Sequence, residues 1–180
     1  MGELTIELLS PGAAGDAALV ERLAGLVNEV YAASETGLWN DGASRTTAVE
    51  IARFVRTGEI AVARPGPDGE VVGCVRIQRW DDTTGEFGML AADPDHRGAG
   101  VGRALVRFAE ERSRGEGRST MRLELLVPRT WTHPAKAFLA QWYERRGYRV
   151  VRRSTIDEDY PHLAPLLATP CDFLIWHKQL

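Results

Sequence analysis

Cysteine and histidine are scarce in this chain and neither sign of charge is in marked excess, and each of these lacks excludes a class of chemistry. There are two cysteines in 180 residues, Cys74 and Cys171, far apart in sequence. They make neither a disulfide framework nor a CxxC metal knuckle. Each reads as a small buried apolar side chain, and a reduced, cytoplasmic protein is expected. The four histidines, His96, His133, His162 and His177, show no metal-ligand spacing and HExxH is absent, so no metal is expected. Lys and Arg total 22 against 25 Asp and Glu, a net charge of −3. No basic excess points to nucleic acid or an anionic membrane as a partner. No apolar run approaches the roughly 18–20 residues of a membrane span. The start, Met1-Gly2-Glu3-Leu4-Thr5, has neither the basic nor the apolar region of a secretory signal. Hydrophobic residues make up 44% and charged residues 26%, enough to bury a core and too balanced for a disordered chain.

Periodicity then orders the chain. Leu4, Ile6 and Leu8 alternate with polar residues as in a strand, and Leu19, Leu23, Leu26, Val27 and Val30 predict a helix over 16–32. Thr47 and Glu50 have capping-box spacing for a second helix, which Gly58 would stop. Three strands follow, 60–63, 71–80 and 86–92, joined by the tight turns 64–69 and 81–85, so they are expected to be antiparallel neighbours. A helix over 100–114 and a strand over 121–127 predict a parallel crossover. A helix opened by Pro134 and closed by Gly147, a strand from Tyr148, an irregular loop over 156–170 and a final strand over 173–176 complete the chain. There is no repeat and no linker, so the expectation is one α+β domain over 1–180 around a mixed sheet.

The most informative segment is Asp93-Pro94-Asp95-His96-Arg97-Gly98-Ala99-Gly100-Val101-Gly102-Arg103. A strand ends, and alternating glycines lead into a helix. Glycines let the backbone curl and present successive N–H groups at a helix N-terminus, a site for phosphate or pyrophosphate. Arg97 and Arg103 add permanently charged forks. The run is neither a Walker A loop nor a dinucleotide fingerprint, since it lacks GK[ST] and has Arg103 where a third glycine would fall.

Arg97-Gly98-Ala99-Gly100-Val101-Gly102 resembles the [QR]-x-x-G-x-[GA] signature of the GNAT superfamily of acyl-CoA N-acyltransferases. Trp142-Tyr143-Glu144-Arg145-Arg146-Gly147-Tyr148 is similar to that superfamily's [FW]-Y-x-x-x-G-[FY] block, and the order of elements is also the superfamily's. The resemblance implies a three-layer α/β sandwich with a mixed, mostly antiparallel, seven-stranded sheet and about four helices. It implies acetyl-CoA as co-substrate, its pyrophosphate on Arg97, Gly98, Ala99, Gly100, Val101, Gly102 and Arg103. Its pantetheine arm would pair like an extra strand with the backbone of Leu90, Ala91 and Ala92, where the strand splays at a bulge. The superfamily usually has Asn, contacting the cofactor, where this chain has Lys136.

Acyl transfer to an amine needs a proton acceptor for the amine, donors for the thioester oxygen and a stabiliser for the departing thiolate. The resemblance makes Tyr143 the group that protonates the thiolate; the alternative is a core tyrosine. It makes Glu86 the carboxylate that takes the amine proton through water; the alternative is a solvent-facing strand residue. Glu124 is a second candidate, and His133, on a loop, a weaker one. For the acceptor, Tyr31, Glu35 and Trp39 on the loop between the first two helices, with Trp80, offer aromatics and a carboxylate for a cationic amine. The stretch 160–172 would form a wall of the acceptor pocket or a contact in a homodimer. The expected function is N-acetyl transfer to the primary amine of a small molecule, and the alternative is a non-catalytic acyl-CoA-binding sensor.

Overall fold

The computed structural model describes residues 4–180. The chain runs β1 (Leu4–Leu8), α1 (Ala17–Ser34), α2 (Ala48–Arg56), β2 (Ile60–Pro65), β3 (Gly73–Arg79) and β4 (Thr84–Ala92). It continues through α3 (Val101–Gly115), β5 (Thr120–Pro128), α4 (Pro134–Glu144), β6 (Arg149–Thr155), α5 (Ile156–Asp159) and β7 (Cys171–Gln179). The strands form one sheet of seven in the order β1-β2-β3-β4-β5-β7-β6. Every neighbouring pair is antiparallel except β4 and β5, the parallel crossover expected from sequence.

Side-chain alternation along the strands builds a core on each face. Ile60, Val62 and Cys74 meet Leu23, Leu26 and Val27 of α1 and Ile51, Phe54 and Val55 of α2. On the other face Ala61, Ala63, Val75, Ile77 and Phe87 meet Val101, Leu105 and Ala109 of α3 with Tyr143, Tyr148 and Trp176. Close approach of α3 to the sheet requires Gly73, because a Cβ there would lie 2.5 Å from Val101 Cγ1. Asp16 and Thr47 cap α1 and α2, accepting from the amides of Leu19 at 3.0 Å and Glu50 at 3.1 Å. A third cluster, Leu38, Leu126, Ile156 and Cys171, sits under the loops 35–47 and 160–170.

The feature that shapes a site is the parting of β4 from β5. They pair only over Thr84–Glu86 and Thr120–Arg122. Between the β3–β4 pairs Arg76–Gly88 and Cys74–Ala91, the single residue Val75 faces both Met89 and Leu90. That extra residue is a β-bulge, with Met89 in the left-handed region at φ 49°. The bulge bends β4 away and opens a wedge whose walls are the C-terminal halves of the two strands.

Some boundaries differ from the sequence reading. The first helix extends to Ser34, the middle strands are Gly73–Arg79 and Thr84–Ala92, and the last strand is Cys171–Gln179. The stretch read as wholly irregular holds the one-turn α5, nucleated by a capping box between Thr155 and Glu158, which makes five α-helices among the described residues, in keeping with the expected four or so. The polar composition of Asp157–Asp159 hid it, since no apolar period marks a single turn.

Candidate active site

At one end of the wedge lies the glycine turn. Asp93 fixes it: its Oδ1 accepts the Asp95 amide at 3.0 Å and its Oδ2 accepts Arg22 of α1 at 2.9 Å. The Asp95 amide above all, helped by Arg22 and opposed by burial, holds the Asp93 carboxyl below its ordinary pKa, so the anchor is ionised. Gly98 and Gly100 sit at φ +86° and +79°, where other residues are strained. Gly100 is the N-cap of α3 and supplies no side chain to the amides of the first turn. Those amides therefore remain available to an anion, with the helix dipole behind them. Arg97 and Arg103 are exposed beside the turn.

Along the wedge, α4 buries two residues, Lys136 and Tyr143, seven apart and so on one face. The Tyr143 ring is held between Phe87 at 6.1 Å, Trp142 at 5.1 Å, Tyr148 at 5.9 Å and Trp176 at 6.3 Å between centroids. Burial, with Tyr31 nearby, raises the Tyr143 pKa well above that of a free phenol, and Arg146 offsets little of it. No protein hydrogen bond contributes to that shift. Tyr31, reaching in from α1, is pushed up to about 12, by burial first, against the nearby Arg45 guanidinium.

The loop after α1 closes the far end. Glu35 accepts Lys136 Nζ on Oε1 at 2.6 Å and Trp39 Nε1 on Oε2 at 2.5 Å, and the Glu35–Lys136 pair is almost fully buried. His133 caps α4 by accepting the Ala135 amide on Nδ1 at 3.2 Å, which leaves Nε2–H to donate to the Thr36 carbonyl at 3.1 Å. Backbone bonds from Asn40 to Leu166 and from Ala168 to Leu38 join the same loop to the stretch 160–170. Glu35 and Trp39, expected from sequence to offer a carboxylate and an aromatic to a cationic amine, are instead bonded to each other and to Lys136. The carboxylate already has a cation from its own chain, and the indole is half-buried and bonded to it. Lys136 likewise points to Glu35, so it offers no unengaged donor in place of the usual Asn. Both nitrogens of His133 are committed to structure, which removes it as a base.

A polar row crosses the sheet face that α1 and α2 leave uncovered. Gln78, Glu86 and Arg122 are in register on β3, β4 and β5. Gln78 donates to Glu86 Oε1, and Arg122 is ion-paired to Glu86 and, at 2.6 Å, to Glu124. Glu124 Oε2 accepts the Tyr160 hydroxyl at 2.8 Å. Trp80, half exposed, lies over the Arg122 guanidinium at 3.8 Å. Two carboxylates share one buried guanidinium, so the row keeps one net negative charge. Sequence reasoning singled out the two acids, Trp80 and the stretch that begins at Tyr160, but missed Arg122 and Gln78. Arg122 and Glu124 are two apart on a strand and share a face, which was the available signal; the Tyr160–Glu124 contact had none, and a bulge in β4 was expected from the resemblance alone.

Structurally, the candidate residues thus divide into the cradle of 97–103, the free β4 edge at Leu90–Ala92, Tyr143 in the wedge, and the Glu86–Glu124 row under Trp80. The Glu35–Lys136–Trp39 group stands apart as a buried, internally paired cluster. Among the described residues there is no cluster of three metal-ligating side chains, and no helix is long and apolar enough to cross a membrane.

Similar folds recur among solved structures. IAA acetyltransferase from Bacillus cereus ATCC 14579 superposes with a TM-score of 0.61 at 21% identity, covering 99% of this chain and 100% of that one. A GNAT family acetyltransferase from Elizabethkingia anophelis with acetyl-CoA bound gives 0.61 at 15% identity, covering 98% of both chains. N-acetylglutamate synthase from Neisseria gonorrhoeae, complexed with coenzyme A and N-acetyl-glutamate, gives 0.64 at 19% identity. That match takes in all of this chain but only 36% of the synthase. No curated protein matches in sequence. The acetyltransferase (GNAT) domain family matches residues 56–150, more than half of the chain, and spans β2 through α4, the strands of the wedge, the glycine turn and Tyr143. With a glycine cradle at one end of a bulge-opened wedge and a tyrosine in it, the chain belongs to the GNAT acetyltransferase family.

Proposed function

We propose that the chain moves an acetyl group from acetyl-CoA to the primary amine of a small molecule by direct attack, without a covalent enzyme intermediate. The observation that carries this reading is the wedge, which joins an uncapped helix N-terminus to a buried tyrosine through a strand edge with no partner from β5. The donor set fits coenzyme A. Gly98, Gly100 and the first amides of α3, with Arg97 and Arg103, would hold the pyrophosphate, and the backbone of Leu90 and Ala92 would pair with the pantetheine amides. Bound there, acetyl-CoA supplies a thioester carbon open to nucleophilic attack.

The chain's own groups divide the remaining work. Tyr143 keeps its proton at neutral pH because burial disfavours the phenolate, so it can donate to the departing sulfur at Oη. The aromatic packing fixes its ring and excludes water. Glu86, Arg122 and Glu124 form the acceptor end. Their net negative charge attracts a cationic amine, and Trp80 presents an aromatic face beside it. Glu86 and Glu124 are the two carboxylates that would accept the amine proton through water; Gln78 and Arg122 engage the oxygens of Glu86, and Arg122 and Tyr160 those of Glu124.

Thiol release from acetyl-CoA against a panel of primary amines tests the reading. Amine-dependent release is expected. Coenzyme A binding without release for any amine would favour a sensor instead.

A further inference from the structure

The polar row of the acceptor end continues one strand beyond Arg122. Gln78, Glu86 and Arg122 are in register on β3, β4 and β5, and His177 of β7 is paired with Arg122 in its turn. Paired residues on neighbouring strands send their side chains to the same face, so His177 stands on the face that carries the two carboxylates. Glu124 is paired with Ile175, which makes it the diagonal neighbour of His177, about 7–8 Å away. The other three histidines are engaged elsewhere. Both nitrogens of His133 are bonded, His96 lies beside the glycine turn 3.9 Å from Asp93, and the His162 ring packs 6.4 Å from that of Tyr160. His177 is partly buried, and among the described residues its ring enters no protein hydrogen bond.

Two charged groups face that ring, Arg122 from β5 and Asp81 from the turn between β3 and β4. Arg149, its partner on β6, spends Nη1 on the carbonyls of Glu144 and Tyr148. Burial first, and then Arg122, lower the His177 pKa, and Asp81 opposes them. The imidazole is therefore neutral at pH 7, with a lone pair to offer. The carboxylates are differently placed. Arg122 pairs with both, so a proton that stayed on either would break an ion pair.

We propose that His177 completes the proton path of the acceptor end: the proton shed by the incoming ammonium, taken up through water at Glu86 and Glu124, comes to rest on an imidazole nitrogen of His177 and leaves from there to solvent. This rests on the acetyl-transfer reading and adds to it the group that lets both carboxylates stay ionised. An N–H bond of the ammonium breaks and its electron pair stays on nitrogen, which then forms the C–N bond as the C–S bond breaks. The sulfur takes the Tyr143 proton, and the second proton lost by the attacking nitrogen restores the phenol. The imidazolium returns its proton to water, so one proton is released per turnover. A base that titrates near the working pH suits this step.

The test is the pH dependence of kcat/KM for an accepted amine at saturating acetyl-CoA, in the wild type and in His177→Gln, beside an NMR titration of the His177 ring in the wild type. The wild-type kcat/KM should rise with pH along a limb whose midpoint lies below about 6.5, the ordinary histidine value, and the ring should titrate at that same midpoint. His177→Gln should lose the limb and about tenfold or more in kcat/KM at pH 7. Its acetyl-CoA affinity, read by calorimetry, should stay at the wild-type value, which also shows the variant to be folded. A ring that titrates away from the limb would overturn the proposal. So would a His177→Gln variant that keeps the limb, whether or not its rate falls, because a merely structural role leaves the limb in place. If no amine releases thiol from the wild type, the acetyl-transfer reading itself fails and the proposal falls with it, a result distinct from the other two.

Discussion

At the scale of single residues, the informative property of Tyr143 is a hydroxyl that is buried but not used by the fold. Its ring packs on Phe87, Trp142, Tyr148 and Trp176, and phenylalanine keeps all of those contacts. Tyr143→Phe should therefore leave the melting temperature nearly unchanged while kcat falls by roughly 10²–10⁴-fold, the range of a lost general acid. Steady-state rates with an accepted amine, beside a thermal melt, check both halves. Lys136 and Glu35 behave in the opposite way. Their pair is buried, so removing one partner strands a charge. Lys136→Met should destabilise the fold by about 3–5 kcal/mol, read as a lower urea midpoint. Glu35→Met in the same chain should recover part of that loss, since no buried charge then remains; Trp39 would still lack its acceptor. A double variant no better than Lys136→Met alone would show that the ion pair is not the source of the cost.

At the scale of elements, β4, the glycine turn and α3 act as one device. The bulge at Met89 frees the strand edge, Asp93 anchors the turn, and Gly100 starts the helix without covering its amides. Gly100 at φ +79° tolerates a side chain poorly, at a cost of about 1–2 kcal/mol for leaving glycine. Gly100→Glu adds a negative charge to a site built for anions. Acetyl-CoA affinity should fall at least tenfold beyond the loss seen in Gly100→Ala, which carries the same backbone strain without the charge. Calorimetry of both variants measures this. Affinity in Gly100→Glu equal to that in Gly100→Ala would show that the turn does not face the pyrophosphate.

At the scale of the whole molecule, Asp172 ties the end of the sheet together. It is the second residue of β7 and is clamped by Arg129 after β5 at 2.7 Å and Arg153 of β6 at 2.8 Å. Burial alone would raise its pKa, but the two guanidinium groups outweigh that and hold the carboxyl below the ordinary value. A carboxylate with a depressed pKa in the folded state contributes stability above its unfolded value, about 3.9, and loses it as pH falls through the lower folded value. Asp172→Asn should therefore be less stable than wild type at pH 7, with the gap narrowing as pH falls below about 4. Urea unfolding at a series of pH values reads this directly. A gap that stays constant with pH would mean that packing, not charge, holds this corner. The order of elements and the parallel crossover were legible because each rests on local periodicity and turn chemistry. The one-turn α5 was not legible, being polar and too short to carry a period.

What the sequence determined by itself was whatever depends on spacing: the alternation of β2 to β4, the glycine turn before α3, and the aromatic block around Tyr143. Local backbone preferences and the periods of helix and strand write those features directly into the chain. The tertiary structure alone decided which charges meet. Glu35 and Lys136 are 101 positions apart, and Glu124 and Tyr160 are 36 apart; neither pair leaves a local trace. A carboxylate that looked free for a substrate is therefore bound to a lysine that looked free for a cofactor. Arg122, which sequence reasoning passed over, stands between the two acids it singled out. Charge partners are chosen by the packing of distant elements, and burial then makes that choice energetically decisive.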